Sequence, residues 1–148
     1  MRPAAIIERL RTDCTFFSTR VAGLIGRDDA LDKLVEAKAG LAVPCAYVVW
    51  EGDAPADDQE LDTMSDQIET TFSITVIVSG TTDQTGQDAS ERLLNARDAL
   101  FASLIGWTPD AAQYGRGIYD GAPDAPIYNR AYGATTFVFS WSYYTDNP

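Results

Sequence analysis

Residues 67–105 read QIETTFSITVIVSGTTDQTGQDASERLLNARDALFASLI, and the spacing of apolar residues changes period halfway along. In the first half Phe72, Ile74, Val76 and Val78 alternate with Ser73, Thr75 and Ser79, the period of a strand with one buried face. In the second half Leu93, Ala96, Leu100 and Leu104 recur at helical spacing, with Leu94, Phe101 and Ile105 beside them. That arc is broad enough to predict a helix over residues 87–105 lying across a sheet. Between the halves, Thr85-Gly86-Gln87-Asp88 resembles a capping box with Asp at its fourth position. Gly106 supplies a left-handed closing residue and Pro109 forbids continuation, so the helix stops there. Trp107, where the chain turns back, is expected to plug the edge of the core.

Upstream, residues 44–51 (PCAYVVWE) are rich in β-branched and aromatic side chains and predict another strand. The polar, acidic stretch 52–66 (GDAPADDQELDTMSD) reads as a loop. Strand, loop and strand make a long antiparallel hairpin. Residues 3–12 predict a short amphipathic helix with Pro3 in its first turn, and 28–38 a second helix ended by Gly40. A short strand fits between them near Val21, Gly23 and Ile25.

Downstream, residues 115–123 (GRGIYDGAP) predict a short edge strand, and 123–133 a loop dense in Pro, Gly, Asp and Asn. The last strand, 135–144, places Phe137, Phe139, Trp141 and Tyr143 on one face and Thr136, Val138, Ser140 and Ser142 on the other. The expected architecture is α+β: a mainly antiparallel sheet with helices packed on one face, as a single domain over residues 1–148.

Composition narrows the chemistry. The chain has no histidine, so the usual neutral-pH base and commonest metal ligand are missing. Cys14 and Cys45 match no metal spacing and read as buried free thiols. GRGIYDG lacks the context of a phosphate loop, and the acidic stretch lacks the spacing and central Gly of a calcium loop. No enzyme activity, metal or cofactor is expected. An apolar content of 45% is that of an ordinary soluble protein, with neither a bilayer-spanning run nor a signal-peptide pattern. We therefore expect folding in the cytoplasm and no membrane partner.

Charge is distributed unevenly. The net charge is −11, and no Lys or Arg occurs from residue 39 to residue 91. That span holds Asp53, Asp57, Asp58, Glu60, Asp62 and Asp66 among its acids. Such a surface repels phosphate, so ordinary nucleic-acid binding is disfavoured.

Several pieces occur in a recognisable order: IIERLR…C from Ile6 to Cys14, RVAGL, VPCAYVVWEGD, then the strand–turn–helix run ending in L-I-G-W-T-P at Pro109. In this order and spacing the chain resembles the tail terminator proteins of long-tailed bacteriophages and prophages. The resemblance implies a structural virion protein. Its expected assembly is a ring, commonly a homohexamer, that caps the tail tube and ends its polymerisation. The ring would meet the head–tail connector or neck protein, and genomic DNA would pass through without tight binding. It would stand at the head-proximal end of the tail after assembly in the bacterial cytoplasm. On this reading Asp53, Asp57, Asp58, Glu60, Asp62 and Asp66 line the channel or keep the subunit soluble, while Gly106, Trp107 and Pro109 form the structural helix stop. The alternatives are a head–tail connector or neck subunit and, from another class, an acidic ligand-binding or DNA-mimic protein.

Overall fold

A computed structural model describes residues 1–17, 21–23, 43–55, 65–80, 87–128 and 132–146. Among them, helix α1 (Pro3–Asp13) is followed by strands β1 (Val21–Gly23), β2 (Cys45–Pro55) and β3 (Ser65–Ser79). Helix α2 (Gln87–Leu104) then precedes β4 (Ile118–Gly121), β5 (Ile127–Tyr128) and β6 (Tyr132–Asp146). The strands form one six-stranded sheet in the order β1-β2-β3-β6-β4, with β5 also pairing β6. Every pairing is antiparallel except β1 with β2. The fold is α+β. The helix expected at 28–38 and the start of the capping box at Thr85 and Gly86 lie outside the described residues.

The two expected apolar faces meet in the core. Phe72, Ile74, Val76 and Val78 of β3 and Phe137, Phe139 and Trp141 of β6 point to the helix side, together with Ala46 and Val48 of β2. Ile6 and Leu10 of α1 and Leu93, Ala96, Leu100 and Leu104 of α2 close over them. Removing each such leucine from water contributes about 1.5–3 kcal/mol. Arg11 fastens α1 to β1, its Nε donating to the Val21 carbonyl at 3.0 Å. A smaller cluster of Cys45, Ile77, Tyr132 and Ala134 sits apart, with Val43 and Tyr47 against it. Cys14 and Cys45 are both buried free thiols.

Three features depart from the sequence pattern. The strands run into the acidic stretch: β2 reaches Pro55 and β3 begins at Ser65, so Asp53 and Asp66 belong to strands rather than to a loop. Polar residues on both faces hide the alternation there, while β3 pairs with β6 without a break from Ser65↔Asp146 to Ser79↔Tyr132. The expected loop at 123–133 contains β5, a two-residue strand held by Ala134 and Gly133 of β6. Leu94 and Ile105 are 45% and 46% exposed, because the apolar arc of α2 is wider than the strip the sheet covers. Asp57, Asp58, Glu60 and Asp62 lie outside the described residues.

Candidate functional site

Two regions carry the residues singled out by sequence. The first is the helix stop. Helix α2 ends at Leu104, and Gly106 takes a φ of 81°. The Trp107 N–H donates to the Leu104 carbonyl at 3.2 Å, closing the last turn. Gly106 donates to the Gly117 carbonyl at 2.9 Å, and Gly117 donates back to the Trp107 carbonyl at 2.8 Å. The stop is thus stitched to the chain entering β4. Pro109 follows in a bend, where it has no N–H to contribute.

Trp107 is half-buried at the border of the core, edge-on to Trp141 with ring centroids 6.1 Å apart. On its other side the Arg9 guanidinium lies 5.6 Å from the ring centroid. Arg9 Nε also donates to the Ser103 carbonyl at 3.0 Å, and its Nη2 is 3.4 Å from the Asp13 carboxylate. Ser103 Oγ completes the group by donating to Asp13 at 3.1 Å. Trp107 therefore stands where α1, the end of α2 and β6 meet. Sequence reasoning found Trp107 and missed Trp141 and Gly117, which are distant in sequence and reach it only through the topology.

The second region is an extension of the sheet. β1 pairs β2 only from Val21↔Ala46 to Gly23↔Val48, and β4 pairs β6 only from Val138 to Ser140. Beyond these limits β2, β3 and β6 continue together to Pro55↔Ile68 and Ser65↔Asp146. A bulge between Trp50 and Gly52 puts Asp53 opposite Thr70. Trp50, Asp53 and Tyr143 consequently share one face. Trp50 Nε1 donates to Asp53 at 3.4 Å and to Thr70 Oγ1 at 3.3 Å, and Tyr143 Oη donates to the other Asp53 oxygen at 3.1 Å. The Tyr114 ring packs against that of Tyr143, tilted, with centroids 5.6 Å apart, bringing in the segment after the helix stop. Burial, and then the hydrogen bond to Asp53, raise the Tyr143 hydroxyl above its ordinary 10.0.

Trp50 and Tyr143 were not expected as site residues. The available signal was Gly52 directly after the strand-like run 44–51, where a glycine also suits a bulge. Electrostatically the region is one-sided: β2, β3 and β6 contain no Lys or Arg. The ion pairs among the described residues, Arg9–Asp13 and Arg97–Asp98, lie on the helices. No group of three metal-ligating side chains occurs among the described residues, and no described helix is long and apolar enough to cross a membrane. Both regions are built for packing and contact.

Comparison with known proteins agrees. The family described as "Phage tail terminator protein" matches residues 1–147. A chain from the solved structure "Virion of native gene transfer agent (GTA) particle" superposes with a TM-score of 0.60 over 97% of this chain and 94% of that one. The two are 16% identical, so the likeness is one of fold. No curated protein matches the chain. With the family match reaching from residue 1 to residue 147, the chain belongs to the phage tail terminator protein family and is a structural protein of the tail.

Proposed function

We propose that the chain ends tail-tube growth. Copies of it form a closed ring, a homohexamer, on the head-proximal end of the tube. One surface matches the tube and the other does not continue it, so polymerisation stops there. The free surface then receives the head–tail connector or neck protein, and genomic DNA passes through the opening. The ring is a virion component, assembled in the host cytoplasm, and acts by shape and contact without catalysis. The observation that carries this reading is the family match over residues 1–147. A chain of the same fold in the gene transfer agent virion supports it.

Charge supports the conduit role. Each subunit of a ring brings a net charge of −11. Asp57, Asp58, Glu60 and Asp62, from the sequence between β2 and β3, together with Asp66, rim the opening and repel phosphate within a Debye length of about 8–10 Å. DNA slides because the positive contacts that make binding tight are missing. Asp53, near the end of β2, is engaged by Trp50 and Tyr143.

The reading is tested by incubating the purified chain with tail tubes assembled in its absence. Electron microscopy should show a ring on one end of each tube and no further elongation when tube subunits are added. Uncapped tubes that keep growing would refute it.

A further inference from the structure

The chain holds a guanidinium in the same manner twice. Arg9 lies 5.6 Å from the centroid of the Trp107 ring and 3.4 Å from the Asp13 carboxylate. Arg97 lies 5.8 Å from the Phe101 centroid and 2.9 Å from the Asp98 carboxylate. In each case an aromatic ring and a carboxylate act together on one cation. Trp50 and Asp53 make a third such pairing, and here no cation comes from the described residues.

The third pair is joined by hydrogen bonds within the chain. The Trp50 indole is tied to Asp53 and Thr70, and Asp53 is tied to Tyr143. Trp50 is nevertheless 53% exposed, and Asp53 is exposed. A carboxylate has about four acceptor sites, and two donors reach this one. An exposed indole hydrogen-bonded beside an incompletely used carboxylate has the composition of an interface anchor.

We infer that Trp50, Asp53 and Tyr143 form the seat for an arginine side chain presented by a different protein of the tail. The planar guanidinium suits it better than an ammonium, since it stacks on a ring and bonds a carboxylate at once. The strands carry no cation of their own. A second copy is the poorer complement, because Arg9, Arg11, Arg92 and Arg97, four of the six described arginines, are already bonded within the chain. Phosphate of nucleic acid is repelled outright. The inference rests on the proposed function only for the partner being a neighbouring tail protein.

The test is a titration of the full chain with a blocked Gly-Arg-Gly-Arg-Gly peptide at physiological salt, followed through the indole N–H signals of its tryptophans. The Trp50 signal should shift saturably while those of Trp107 and Trp141 stay in place. Asp53→Asn keeps a hydrogen-bond acceptor, and Trp50→Leu keeps apolar bulk. Each should weaken binding by about threefold or more, measured by isothermal titration calorimetry, since Trp50→Leu removes the indole signal itself. Asp124→Asn, which removes an exposed charge near the β5 end of β6, should not. The citrulline peptide should leave the Trp50 signal unmoved. Absence of a saturable Trp50 shift overturns the inference, as does an equal loss in Asp124→Asn. Tail tubes play no part in this readout. A chain that binds the peptide at Trp50 but leaves tubes uncapped refutes the terminator reading alone, and capping without a Trp50 shift refutes the seat alone.

Discussion

The indole N–H of Trp141 donates to the main-chain carbonyl of Trp107 at 2.9 Å, while the two rings meet edge to face. One contact thus joins the end of α2 to the centre of the last strand. Trp141 is fully buried, so its N–H requires that partner. We propose that Trp107 is a structural plug whose main chain and ring both serve the fold. Trp107→Ala should lower unfolding free energy by about 3 kcal/mol, at the lower end of the buried-Trp range because the side chain is half-buried. Urea unfolding followed by far-ultraviolet circular dichroism measures it. An alanine variant of unchanged midpoint would assign Trp107 to an interface instead.

The two glycines at this junction should respond differently to the same substitution. A Cβ at Gly117 would lie 2.3 Å from the Leu104 carbonyl oxygen and 2.9 Å from Trp141 Nε1. Backbone would have to move, so Gly117→Ala should be among the most damaging single changes in the chain. A Cβ at Gly106 meets nothing within 4 Å, and only its φ of 81° opposes alanine. Gly106→Ala should therefore cost about 1–2 kcal/mol. Thermal melts of the two variants side by side check the order.

Stability should fall at alkaline pH. Tyr47, Tyr119 and Tyr143 all have hydroxyls raised above 10.0, burial being the first cause in each. A proton held more tightly in the folded state stabilises the fold below the unfolded value near 10 and is lost as pH rises through the folded value. The melting temperature should decline above about pH 10. Tyr143→Phe removes one titrating group and its bond to Asp53, so that decline should be shallower in the variant.

Much of this was legible wherever one face of an element is buried and the other is wet. The alternation from Phe72 to Val78 and from Phe137 to Trp141, and the stripe from Leu93 to Leu104, mark faces that do meet in the core; Tyr143, on the same alternation, lies beyond it. Legibility failed where burial no longer writes the pattern. Asp53 and Asp66 sit in strands whose order comes from pairing with neighbours, which leaves little trace in the residues themselves. Leu94 and Ile105 look like core in a helix considered alone, and only the width of the sheet contact exposes them. Trp50 had no reading as a site residue, because its partners Thr70 and Tyr143 become neighbours only after the bulge and the β3–β6 register are set.

The acidic stretch of sequence between β2 and β3 yields a prediction about passage rather than assembly. Reversing Asp57, Asp58, Glu60 and Asp62 to Lys should slow DNA ejection from assembled particles, since each lysine adds a phosphate contact. Tail length should be unchanged. The slowing should weaken as salt is raised. Ejection kinetics of variant particles, measured by dye uptake of the released DNA, decide this.

The central claim is that this subunit sets where the tail tube ends. The most direct measurement is the distribution of tail lengths, by electron microscopy, in lysates made with and without it. The account predicts uniform tails with the subunit, and overlong tails of scattered length joined to no head without it. Tails of normal, uniform length in its absence would contradict the account.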